Sequence, residues 1–279
     1  MVRKTLSLLF ACLCAISVSA HAAGVRPASE LIADAVGEHR LVLLGEMHGT
    51  REIPLLTSML VAHYARTEPV LLGLEIDASD QPLVDAFLES AGTDADFAEV
   101  LSGAHWREPT HDGRDSVAML GLLEHVRRLR AQRADVAVVL FDAPGDGERD
   151  QRMAEALRTA MRAHPGARTL VLTGNVHAVT GERPALILPD GTPYDAPTTL
   201  GRHLLDLAPL SIDIQAAKGE FWACRQTCGP LTVSAPGRPL AQAPELRVAG
   251  GSWDLRLWLP AFSASPPAVP TSRATGSAR

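Results

Sequence analysis

Residues 41–54 read LVLLGEMHGTREIP, four apolar residues followed at once by a glycine, a carboxylate, an imidazole and a second glycine. The apolar part has the length of a strand and no polar alternation, the pattern of a strand covered on both faces in a parallel sheet. Groups as costly to bury as Glu46 and His48 belong at the end of such a strand, outside the core. Three more runs repeat the pattern: VLLGLE at 70–75, VAVVLF at 136–141 and TLVLT at 169–173. Between them lie segments with apolar residues at helical spacing: Glu52 to Arg66 (Leu55, Leu56, Met59, Leu60), Val117 to Arg130 (Val117, Leu120, Leu123) and Arg149 to His164 (Met153, Leu157, Met161). Strand and helix in alternation predict an α/β fold, a mainly parallel sheet flanked by helices and joined by right-handed crossovers. After residue 185 the pieces shorten, with SIDIQ at 211–215, LTVS at 231–234 and LRLWL at 255–259, and predict shorter mixed or antiparallel strands in the C-terminal third.

The ends read differently from the middle. Arg3 and Lys4 precede an apolar run from Leu6 to Val18, and Ala20, Ala22 and Ala23 follow, which predicts a secretory signal peptide over residues 1–22. That run is short for a membrane span, and no other stretch approaches about 18 uninterrupted apolar residues. The expectation is a periplasmic or secreted protein with no transmembrane segment; lipidation at Cys12 or Cys14 is disfavoured because the apolar stretch continues beyond both. The 279 residues are 46% hydrophobic, which fits a single α/β domain over 23–259 rather than a disordered chain. From residue 260 the sequence PAFSASPPAVPTSRATGSAR is rich in Pro, Ser and Ala and predicts disorder over 260–279. With 26 Lys plus Arg against 32 Asp plus Glu, and only positive charge lost with the leader, nucleic acid is a poor partner. A small-molecule or peptide substrate fits better, and oligomeric state is left open. Cys224 and Cys228 remain after cleavage, and two cysteines this close in an oxidising compartment predict a small disulfide loop; half of a metal site would lack its second pair.

One short echo carries the chemistry. Gly45-Glu46-Met47-His48 follows the first strand and Gly174-Asn175-Val176-His177 follows the fourth, while Glu75 ends the second, followed by Asp77, and Asp142 ends the third. Ligands of open parallel sheets bind beyond the carboxyl ends of the strands, so Glu46, His48, Glu75, Asp142, Asn175 and His177 are expected at one edge. Glu46, His48, Glu75 and His177 could ligate Zn²⁺ or Mn²⁺ with a position open for water, whose proton the metal would acidify. Without metal, a histidine held by a carboxylate serves as general base. These four are the catalytic candidates, with Arg51, Asp142, Asn175, Arg149 and Trp106 as substrate-contacting or supporting residues. Arg51-Glu52 and Arg149-Asp150 open helices, where an acidic residue needs no function beyond meeting the helix dipole. Trp106 and His111 fall in GAHWREPTHDGRD (103–115), a loop long enough to cover a cleft, in which a tryptophan also serves as a packing anchor. Tyr64 and Tyr194 are of a type that ligates haem iron, and otherwise read as surface tyrosines. No G-x-S-x-G and no phosphate loop occurs.

The paired G-x-x-H motifs with an intervening strand-end Glu resemble the superfamily that joins the ChaN haem-binding uptake proteins, the Tiki proteases with their TraB relatives, and the erythromycin esterases. The resemblance spans roughly residues 28–225. LGEMHGTREI is similar to the esterase segment carrying Gly-Glu, His-Gly-Thr and a Glu; RDQRMAE at 149–155 resembles that family's Arg-Asp-x-x-Met-Ala; TGNVHAV resembles its later Asn-x-His, and Gly201 and His203 in TLGRHL resemble the segment after it. Met47 alone separates Glu46 from His48, the spacing of the ChaN and Tiki branches. The resemblance implies His48 as water-activating base or metal ligand, Glu46 and Glu75 as carboxylates of the same site and His177 as the second imidazole. Two functions follow as expectations: an exported hydrolase of an ester, lactone or amide, or a ChaN-like periplasmic protein of haem binding and iron uptake.

Overall fold

A computed structural model describes residues 24–108, 111–143, 145, 147–182, 186–187, 193–194, 196–233 and 242–270. The signal-peptide reading, the side chain of Tyr194 and residues 271–279 of the tail lie outside them. Residues 24–36 form helix α1. There follow β1 (Leu41–Glu46), α2 (Glu52–Tyr64), β2 (Val70–Asp77), α3 (Gln81–Glu89), α4 (Asp94–Val100), α5 (Val117–Ala131), β3 (Val136–Asp142), α6 (Arg149–Ala163) and β4 (Arg168–Gly174). Then come the short pair β5 (Leu186–Ile187) and β6 (Pro193–Tyr194), α7 (Leu200–His203), β7 (Leu210–Ala216), the hairpin β8 (Glu220–Cys224) and β9 (Cys228–Thr232), β10 (Glu245–Val248) and β11 (Leu255–Leu259).

The main sheet has seven strands in the order β10-β11-β7-β1-β4-β2-β3. All neighbours run parallel except β10, which is antiparallel to β11. The C-terminal third thus supplies a mixture: β7 and β11 extend the parallel sheet, β10 closes its edge, and β8 with β9 forms a separate antiparallel pair.

The unbroken apolar runs are explained by the layers. Val42 and Leu44 of β1 face one core with Ile32, Leu56, Leu60 and Leu123, beneath α1, α2 and α5. Leu41 and Leu43, pointing the other way by the period of two, join Phe141, Met153, Leu157 and Leu200 beneath α6 and α7. With both faces covered, neither set of side chains can be polar.

Three expectations are corrected. Residues 260–270 are not a disordered tail: they run across the molecule, with backbone bonds from Arg51 to Ser263, from Ser265 to Gly49, from Val117 to Pro266 and from Ala268 to Asp115. Pro and Ser suit such a strap, because an extended segment without a strand partner on both sides needs few backbone donors. Trp106 is fully buried in the larger core, so it is the packing anchor of its loop. Tyr64 is buried as well, with Arg168 over its ring at 4.5 Å, rather than on the surface.

Candidate functional site

The four strand ends β1, β4, β2 and β3 are adjacent, and their terminal residues meet as expected. Glu75 lies at the centre, 3% exposed at the end of β2. Its Oε2 accepts from the Thr173 hydroxyl at 2.6 Å and the Gly174 backbone N–H at 2.7 Å. Its Oε1 accepts from Arg149 at 2.8 Å and Arg114 at 3.2 Å. Burial by itself would raise this carboxyl's pKa, but the charge of His48, the neighbouring His177 imidazole, the charge of Arg114 and the Thr173 hydroxyl outweigh it and hold Glu75 far below the usual carboxylate range. Asp142 completes the pairing: its oxygens accept from Arg149 at 2.9 and 2.6 Å and from Arg114 at 2.7 Å. Two guanidinium groups thus lie between two carboxylates, the arrangement that makes a buried charge tolerable.

The two histidines stand on either side. His48 turns Nδ1 to Glu46 Oε1 at 3.0 Å, and Glu46 is itself 3% exposed. Burial works to lower the His48 pKa, yet the charge and hydrogen bond of Glu46, with Glu75 and Asp112 behind, raise it to about 9. Gly174 keeps this geometry open, since a Cβ there would lie 2.9 Å from His48 Nε2. Gly49, at φ +76°, turns the chain after His48 so tightly against the hairpin that a Cβ would lie 2.1 Å from the Trp222 carbonyl oxygen. His177 sits in the turn after β4, its Nδ1 at 2.8 Å from Asp150 Oδ2 and its Nε2 at 3.0 Å from the Arg149 guanidinium. Arginine can only donate, so His177 Nε2 is the acceptor and Nδ1 carries the proton given to Asp150. Asp150 also accepts from the Leu200 N–H at 2.7 Å, and Gly201 donates to the His177 carbonyl at 2.9 Å, tying the TLGRHL segment to this turn.

Of the residues singled out by sequence, Glu46, His48, Glu75, Asp142, Arg149 and His177 come together. Asn175 joins through its backbone, its N–H donating to the Glu46 carbonyl at 2.9 Å. Arg51 does not: it is exposed, and its Nε donates to the Ala264 carbonyl of the strap at 2.9 Å. Three participants went unrecognised. Arg114 and Asp112, bonded to each other at 2.8 Å, arrive from the 103–115 loop; the signal was the charge-dense HDGRD, which reads as a solvated loop. Asp150 read as a first-turn acidic residue, whereas its carboxylate fixes His177.

Glu46, His48, Glu75 and His177 are not placed as one ligand set. Every Glu75 lone pair is engaged by a donor, His177 Nε2 faces a guanidinium, and His48 Nδ1 faces Glu46. Among the described residues no group of three or more His, Cys, Asp or Glu has the geometry to hold a metal ion. A divalent ion would also meet the positive charge of Arg114 and Arg149, so the donor set does not fit one. Cys224 and Cys228 are joined in a disulfide at the tip of the β8–β9 hairpin, and no described helix is long and apolar enough to cross a membrane.

No family profile matches the chain, and no curated protein matches it by sequence. Solved structures do resemble it. A histidine-to-asparagine mutant of the erythromycin esterase EreC in its open conformation aligns over 85% of this chain and 94% of its own at TM-score 0.63 and 12% identity. A succinoglycan biosynthesis protein aligns over 84% of this chain and 91% of its own, also at 0.63 and 12%. A Bacillus cereus protein aligns over 85% of this chain and 92% of its own at 0.53 and 12%. At such identities the likeness is one of architecture: this chain shares its fold with the EreC structure and with the other two.

Proposed function

We propose that the protein is a hydrolase in which His48 activates water against an ester, lactone or amide, without a metal. The observation that carries this reading is the Glu46–His48 pair: a buried carboxylate at 3.0 Å from Nδ1 orients the imidazole and stabilises the imidazolium that forms when Nε2 takes a proton. Glu75, Asp142, Arg114 and Arg149 form a fixed lattice of charge beside it, and His177 is locked by Asp150 and Arg149. The esterase fold supports the same class of reaction as an analogy, since one fold hosts several chemistries.

The test is a panel of aryl esters, lactones and amides offered to the purified chain and to His48→Ala. Turnover that falls by roughly 10²–10⁴ in the variant, with the circular dichroism spectrum unchanged, is the expected result. No turnover in either protein, together with a Soret band on adding haem, would replace this reading with the haem-handling one.

A further inference from the structure

Beside the Glu75 cluster lies a cleft of about 330 Å³. Asp77, Glu108, Asp112, Asp115 and Asp142 bring five carboxylates to its described lining, against the single guanidinium of Arg114. Acidic lining alone selects nothing. Three of its lining residues say more: among the described residues, Nε2 of His105, Nε2 of His111 and Oδ1 of Asp115 are buried with no hydrogen-bond partner. Their residues are 8%, 3% and 3% exposed. Leaving a buried polar atom unpaired is costly, so each is an open hydrogen-bonding position.

The chemistry of that partner follows from the protons. His111 Nδ1 faces Asp115 Oδ2 and carries the proton there, which leaves Nε2 a lone pair. Burial lowers the pKa of both imidazoles, keeping them neutral. The open atoms of His111 and Asp115 are therefore acceptors. An anion would be repelled by the carboxylates, and a hydroxyl offers one proton, whereas an ammonium offers three donors and a guanidinium five, with the charge the wall requires. The same residues lack the mutual geometry of a metal site.

We propose that this cleft binds an alkylammonium or guanidinium group. Resting on the hydrolase reading, this makes the substrate an ester or amide that carries a basic nitrogen. Asp142 and Arg114 belong to both the cleft wall and the Glu75 cluster, so the bound cation lies next to the reacting centre.

Calorimetric titration of the purified chain with agmatine tests it, with succinate and 1,4-butanediol as anionic and neutral counterparts. The expected result is one-to-one binding of agmatine alone, weakened about tenfold in Asp112→Asn and in Glu108→Gln, as loss of one charged partner predicts. Glu108 is exposed, so its variant keeps the test readable if Asp112→Asn fails to fold. Binding unchanged in a folded Glu108→Gln and Asp112→Asn, binding of succinate instead, or displacement of agmatine by equimolar Mg²⁺ would overturn the proposal. His48→Ala separates the two readings: agmatine binding retained there, with no ester turned over by wild type, removes the hydrolase and leaves the cation site, while turnover without agmatine binding removes the cation site alone.

Discussion

His48 is faced by three carboxylates, those of Glu46, Glu75 and Asp112, which together lift its pKa to about 9. As a base it must first lose that proton, so the active fraction grows about tenfold per pH unit below the pKa. The expected kcat/KM therefore climbs from pH 6 and levels near pH 9; a profile flat over this range would show that His48 does not act as the base. The opposite sign governs Glu75, whose pKa is depressed. Its contribution to stability is complete above the unfolded carboxyl range and is lost only as the pH falls below about 4. Glu75→Gln removes the charge shared by Arg114 and Arg149, and a loss of roughly 3 kcal/mol in urea unfolding at pH 7 is expected. A loss within 0.5 kcal/mol, on the order seen for exposed pairs, would mean that the two arginines are satisfied by Asp142 and solvent.

At the scale of elements, the strap 260–270 is the piece with the widest reach. It bonds the turn after β1 through Gly49, the start of α2 through Glu52 (Oε2 accepting from the Ser263 N–H at 2.8 Å), and the start of α5 through Val117 and Ala118. The loop that delivers Asp112 and Arg114 ends at that same point, where Ala268 donates to the Asp115 carbonyl at 2.9 Å. Truncation after Leu259 is expected to speed amide hydrogen exchange across residues 111–118 and to reduce turnover, while the sheet stays protected. Uniform loss of protection would show that the strap holds the whole fold, and unchanged exchange would show that the loop is held by its own contacts. The hairpin β8–β9 adds a second brace, with the Trp222 N–H donating to the Gly49 carbonyl at 2.9 Å and the Cys224 N–H to the His111 carbonyl at 3.1 Å.

For the whole molecule, the disulfide closes a very short loop, and the entropy removed from the unfolded chain is correspondingly small. Cys224→Ser with Cys228→Ser is expected to cost about 2 kcal/mol in chemical denaturation and to leave the main sheet intact. A much larger loss would place the hairpin within the cooperative core. Local sequence determined the parts of this protein whose cause is local: apolar runs bury both faces of a strand, so β1, β2, β3 and β4 and the edge bearing Glu46, His48, Glu75, Asp142 and His177 were legible from period and position. The same is true of the cysteine pair, where spacing alone brings the sulfurs together. What only tertiary structure decided are the partnerships across long separations. Arg114 meets Glu75, Asp150 meets His177, and a Pro-rich end that reads as disorder finds its hydrogen bonds on Gly49 and Val117. None of these carries a periodic signal, because a charged loop residue and a solvated one look alike until the fold removes the water from one of them.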